Sequence, residues 1–241
     1  MNLLNLGTKD LVINDKISVH VPTVGEIRDY GQDEYYYIAR ILTSVPFDMM
    51  VQLDDLGIDF EAIDEYDLFL FMLQGFIAQG TDLSIFLGHY DFSNIKLVEN
   101  KETKEILAVN ERDECVIDRL IYLEISDALR RIHFWEKTLD KPGNKAAKEY
   151  LIKRNRKKQE RARRKVKDTD LSYLDNLIVK LTNTEEFKYN YEQCDALSIY
   201  KFNASVNQIV RKKNWDKLMI GVYAGTIDTK KVDIVKPHWM S

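Results

Sequence analysis

Asp54, Asp55, Asp59, Glu61, Asp64, Glu65 and Asp67 form the densest group of side chains that could do chemistry. A calcium loop begun at Asp55 would put Phe60 where the tight turn needs glycine and Tyr66 where a bidentate glutamate must close the shell. The loop fails on both counts. The carboxylates read instead as a solvated helix start, where the helix dipole favours negative charge, or as a docking face for a basic partner. His20, His89, His133 and His238 stand singly, with no HExxH pair and no Cys/His spacing of a zinc site. Cys115 and Cys194 lie far apart and read as reduced thiols in or near the core. Cys115 and His133, taken as belonging to one helix, would point apart. Phosphate-cradling and nucleophile-elbow glycine motifs are missing from the sequence. The residues therefore assign no catalytic, cofactor-binding or metal-binding position, and the expectation is a protein that is not an enzyme.

Charge carries more information than any motif. Residues 141–167 hold thirteen Lys/Arg and two acids, a balance of +11. Residues 1–140 hold 12 basic and 27 acidic residues, a balance of −15, and residues 168–241 hold 10 of each. The net charge of −4 thus conceals a dipolar chain. Such a distribution favours association with a polyanion, an acidic protein surface or another copy of the chain. The candidate contact residues are Lys153, Arg154, Arg156, Lys157, Lys158, Arg161, Arg163, Arg164 and Lys165. Three readings stay open for them: a solvated helix, a protein contact, and a nucleic-acid contact whose affinity would fall as salt rises. No aromatics interleave the run, which gives base stacking along it no support.

The elements that must position these residues are mostly helical. Asn144, after the Lys141-Pro-Gly143 break, can cap a basic helix running to about Val166. Its only apolar edge is a narrow stripe through Leu151, Asn155, Gln159, Ala162 and Val166, so the helix is expected to project from the core. Upstream, runs around Asn14-Asp15 and around residues 100–104 suggest two small hairpins. Thr23 and Glu26 have capping-box spacing, Asp33 is placed to cap the following helix, and residues 47–56 suggest a short helix closed by Gly57. The stretch from Tyr66 to Ile77 is apolar on most sides and reads as a buried helix. A further helix is expected to bury Ile117, Leu120, Ile121, Ile125, Ala128, Leu129 and Ile132, with Arg130 lying off that face. Two more helices follow, one capped by Asp170 and one from Ala196 through Val210, before a looped end marked by Gly221 and Gly225.

The fold class expected is mainly α with one or two small β-hairpins, a helical core and a projecting basic helix. Its divisions are an acidic α+β domain at 1–140, the basic helix at 141–168, and a helical part at 169–241 packed on the first. No apolar run approaches the ~20 residues that span a bilayer, and the first residues lack the features of an export signal. Trp215, Tyr223 and Trp239 read first as core anchors; if exposed, Tyr223 and Trp239 become interface residues.

Several segments carry a family resemblance: Phe187-Lys-Tyr-Asn-Tyr191, Leu197-Ser-Ile-Tyr-Lys-Phe202, Leu218-Met-Ile-Gly-Val-Tyr-Ala-Gly225, Ile227-Asp-Thr-Lys-Lys231 and Trp239 near one end, and Val24-Gly-Glu-Ile27 and Leu42-Thr-Ser-Val-Pro46 near the other. Together they resemble tail-module proteins of tailed bacteriophages of Gram-positive hosts, described as tail assembly chaperones or minor structural proteins. The resemblance implies a protein of the host cytoplasm during phage assembly, acting through protein–protein contacts without a cofactor. Its partners would be tail proteins, such as the tape measure or tube, or copies of itself. Such chaperones are often shorter than this chain, and the basic helix is not expected of them. A structural component of the virion and a nucleic-acid-binding regulator are the alternatives.

Overall fold

A computed structural model of the 241-residue chain describes residues 10–88, 94–112, 115–138, 140–165 and 172–228. The Asn14 carboxamide accepts from the amides of Lys16 and Ile17, turning the chain between β1 (Leu11–Val12) and β2 (Ser18–Val19). Thr23 then forms the expected reciprocal box with Glu26 and starts α1 (Val24–Tyr30). Gly31, at φ +101°, separates it from α2 (Gln32–Thr43). Asp33 is not the cap of α2; it lies in the first turn, where a carboxylate still faces the positive helix end.

The short α3 (Met50–Asp55) ends before Gly57, and Asp64 caps α4 (Glu65–Gln79) by accepting from the Tyr66 and Asp67 amides. Helix α4 buries Tyr66, Leu68, Phe69, Leu70, Leu73 and Phe76, whereas Phe71 on its other side is 46% exposed. After α5 (Ser84–Leu87), β3 (Ile95–Glu99) and β4 (Ile106–Asn110) form the charged-tip hairpin. A third strand, β5 (Cys115–Ile117), pairs with β4. Cys115 and Ile117 therefore belong to a strand, not to the helix expected there.

The helix begins two residues later as α6 (Arg119–His133), capped by Asp118. Its buried face is rotated relative to the expected stripe. Leu120 is 70% exposed, whereas Tyr122, Ser126, Arg130 and His133 are buried. Arg130 is tolerated there because it donates to the Thr43 carbonyl at 2.5 Å and lies 3.9 Å from Glu65. Sequence periodicity found the helix but not its rotation, because Tyr122 and His133 carry polar tips that hide their apolar bodies.

Asn144 does cap α7 (Lys145–Lys165), accepting from the Ala147 amide at 2.8 Å. Then come α8 (Tyr173–Thr182), α9 (Tyr191–Asp195) and α10 (Ile199–Tyr223). Ser172 caps α8; the expected cap, Asp170, lies outside the described residues. Leu174, Ile178, Leu181, Phe187, Cys194, Ile199 and Phe202 join the same apolar core as β2, α2, α4 and α6. Backbone bonds from Val24 to Leu197 and from Ile199 to Pro22 sew the two ends together, with Gly25 pressed against the Asp195 carbonyl. The architecture is mainly α with small antiparallel sheets of two and three strands. Both cysteines are buried, and no disulfide joins them. Among the described residues no helix is long and apolar enough to cross a membrane.

Candidate functional site

Met50, Val51, Leu53, Phe60 and Leu68 form a second apolar cluster beside the main core. Leu151 and Ile152 of α7 pack against it. Asn155 reinforces that seat with a contact to the Met50 sulfur at 3.3 Å. Charge completes the docking. Lys148 donates to Asp59 and lies 2.8 Å from Glu61, with its ammonium 4.8 Å from the Phe60 ring centroid. Arg156 reaches Asp54 at 2.9 Å and Asp55 at 2.5 Å. The hydrogen bond from Lys148 holds the Asp59 carboxyl below the ordinary aspartate value, and the same pair raises Lys148.

Two expectations are corrected by this seat. The basic helix does not stand wholly clear of the globule, because its first half lies on α3 and the Phe60 cluster. Arg156 is not a free contact residue, since it is engaged by the chain's own acids. Those acids are a docking face for a basic element that lies in the same polypeptide about 90 residues downstream.

The other cations differ, both on the outer side of the seated half (Lys153, Arg154) and beyond it. Lys153, Arg154, Lys157, Lys158, Arg161 and Arg164 are exposed, and none of them has a carboxylate within ion-pair distance among the described residues. The side chains of Arg163 and Lys165 lie outside the described residues, as does Trp239.

The second projecting element is α10. Phe202 is its last buried residue, and the remaining ~30 Å of helix holds only half-buried and exposed positions. Ile220 is 67% exposed and Tyr223 is 82% exposed, which removes Tyr223 from the core and makes it the interface candidate. Trp215 is half-buried on this arm and is not a core anchor either. Leu218, Met219 and Val222, also half-buried, share one face with it. Gly221 is helical, not looped. Thr226 and Ile227 fold back and donate to its carbonyl, and a Cβ at this position would meet the Ile227 side chain at 2.6 Å. Gly225, at φ +70°, makes that reversal possible.

The matched segment includes this arm. Residues 162–241 match the family model described as YomV second domain. YomV is a Bacillus phage-region protein, which agrees with the resemblance at the level of phage association. The match begins inside α7 and takes in α8, α9 and α10, whose buried residues complete the core built by the first 133 residues. No curated protein and no solved structure matches the chain.

A third feature escaped sequence reasoning. Helix α6 ends at Phe134, which adopts the left-handed conformation at φ +57°. For an aromatic residue this costs roughly 1–2 kcal/mol relative to a right-handed turn. The reversal lets the consecutive residues His133, Phe134 and Trp135 line one cavity of about 370 Å³. The Arg40 guanidinium lies 3.6 Å from the Trp135 ring centroid, and the His133 ring stacks on Trp135 at 4.4 Å. His133 binds the Tyr35 hydroxyl at 2.8 Å through Nε2, and burial pulls its pKa down to about 3, so the ring is neutral at pH 7. Burial also pushes the Tyr36 hydroxyl up to about 12. Four elements, α2, α6, α8 and α10, contribute to this cavity, and no linear motif could have revealed it.

Among the described residues no group of three or more His, Cys, Asp or Glu is placed to hold a metal ion.

Proposed function

We propose that this chain is a non-enzymatic bacteriophage tail assembly protein that works by holding other proteins. The observation that carries the reading is the pair of helical arms leaving one core. The distal half of α7 offers cations, and the distal half of α10 offers Ile220 and Tyr223 above a half-buried apolar face. Exposed apolar side chains on a helix favour protein partners, and long helical tail proteins need such cover before they are enclosed. The match of residues 162–241 supports the phage assignment, and the resemblance of both chain ends to tail-module proteins supports the finer one.

Copurification from phage-producing host cells tests the proposal. Tail proteins, the tape measure among them, should elute with the tagged chain, while mature particles should lack it. Stable incorporation into purified particles would replace this reading with a structural role in the virion. A second reading, nucleic-acid contact through α7, is favoured by the six exposed cations without carboxylate partners. It requires retention on DNA or RNA that disappears near ~0.5 M salt.

A further inference from the structure

We propose that the aromatic cavity between α2, the end of α6, the start of α8 and α10 binds a nucleotide, with the base inserted among the rings and the phosphate at Arg40.

The walls are suited to a planar ring. Trp135, His133 and Phe134 come from one reversal of the chain, and Tyr36 and Tyr173 meet edge to face at 6.4 Å across the opening. Phe134 remains 42% exposed although it also stacks on Tyr200 at 4.9 Å. A volume of about 370 Å³ lies at the lower end of the range that small-ligand sites occupy.

The polar groups narrow the ligand class. Asn203 and Asn207, one turn apart on α10, both line the cavity. Among the described residues neither carboxamide forms a hydrogen bond, and neither do the hydroxyls of Tyr36 and Tyr173. Arg40 has no carboxylate within ion-pair distance among the described residues. His133 Nδ1 is buried without a hydrogen-bond partner beneath the Trp135 ring.

A lipid tail or other hydrocarbon would strip water from these groups and return nothing. A cation would be repelled by Arg40, since no carboxylate lines the cavity. An aromatic side chain of a protein could stack, but it would leave two carboxamides without hydrogen-bond partners and the Arg40 charge, stacked on Trp135, without a counter-ion. A nucleobase stacks equally well, and its edge presents the paired donors and acceptors that asparagine recognises. A phosphate beside the base would neutralise Arg40. The base could belong to a free mononucleotide or to a single-stranded nucleic acid. Both present the same chemistry to the cavity.

The test uses the full-length chain and titration calorimetry. The probes are AMP, GMP, CMP and TMP, the matching nucleosides, single-stranded oligo(dA) and oligo(dT), and N-acetyltryptophanamide as an aromatic without phosphate. Saturable binding of at least one nucleotide or oligonucleotide is expected. Asn207→Ala should weaken it about tenfold or more, and Arg40→Gln should abolish the preference for nucleotide over nucleoside. Thermal melts establish that each variant folds. Asn207 is exposed, so its variant carries the test if Arg40→Gln does not fold. Mononucleotide binding would identify a free ligand, and binding of oligonucleotides alone would identify a strand; either result supports the site. The absence of saturable binding to all nucleotides and oligonucleotides would overturn it. So would binding unchanged in the folded variants, or binding of N-acetyltryptophanamide without any nucleotide.

Discussion

The two halves of α7 are both cationic but differ in apolar content and in fate. Residues 145–156 are seated, with Leu151 and Ile152 on the Phe60 cluster and Lys148 and Arg156 paired with four carboxylates. Residues 157–165 carry cations more densely, yet Lys157, Lys158, Arg161 and Arg164 pair with no acid among the described residues. Cation density therefore did not decide which half docks; Leu151 and Ile152 have no counterpart in 157–165, where Ala162 is the one apolar residue. The acidic face on α3 and its following loop is short, and it is filled after about three turns of helix. Lys157, Lys158, Arg161 and Arg164 lie beyond its reach.

The contrast can be broken most directly by removing the apolar seat. Phe60→Ala should cost about 3 kcal/mol in urea denaturation, because a buried aromatic is deleted beneath α7. Amide exchange should rise first in residues 145–156. Unchanged protection there would mean that ion pairs alone hold the helix.

Acid should separate the seat from the core. Neutral His133 titrates near 3 when folded but near 6.5 when unfolded, so the unfolded chain binds more protons between those values. Stability should fall as pH drops below 6.5, by up to ~1.4 kcal/mol per pH unit, and level off near 3. His133→Gln should flatten that limb relative to the parent in denaturation series. The Asp59 pair obeys a lower window. Its depressed carboxyl contributes stability above the ordinary aspartate value of 3.8 and loses it as pH falls through the folded value. Carboxyl carbon resonances should show Asp59 titrating below 3.8, and Lys148→Gln should raise it toward that value, the Glu61 amide still holding part of the shift. A titration unaffected by the substitution would dissociate Asp59 from the docking.

The smallest effect on folding is expected from the free half. Lys157, Lys158, Arg161 and Arg164 replaced together by Gln should alter stability by less than about 0.5 kcal/mol. If α7 contacts nucleic acid, the same variant should reduce the magnitude of the logarithmic salt slope by about 3 to 4, read by anisotropy of a labelled duplex. A slope identical to the parent's would assign these cations to a protein surface or to solvent.

Much of the fold was legible along the chain. The Thr23–Glu26 box, the Asn144 cap, the two hairpins and the buried α4 all follow from short-range pattern, because caps and turns act over three or four residues. The β5 strand was hidden because three residues give no period to detect. The rotation of α6 was hidden because Arg130 and His133 count as polar in any pattern, yet each finds a partner inside: Arg130 at the Thr43 carbonyl and His133 at the Tyr35 hydroxyl. Of the contact residues named from sequence, Arg156 proved engaged within the chain, whereas Tyr223 proved exposed.

By itself the sequence determined a helical chain with one cationic segment, punctuated by Pro142 and Gly143, because helix formation and charge density are local properties. Only tertiary structure decided that Lys148 and Arg156 of that segment are neutralised within the chain, that Tyr223 faces outward, and that residues 133–135 meet Asn203 and Asn207 around a cavity. Those outcomes depend on side chains 60 to more than 100 positions apart being brought within a few ångströms. The physical reason is that ion pairing, stacking and burial act through distance in space, which packing of the whole core sets.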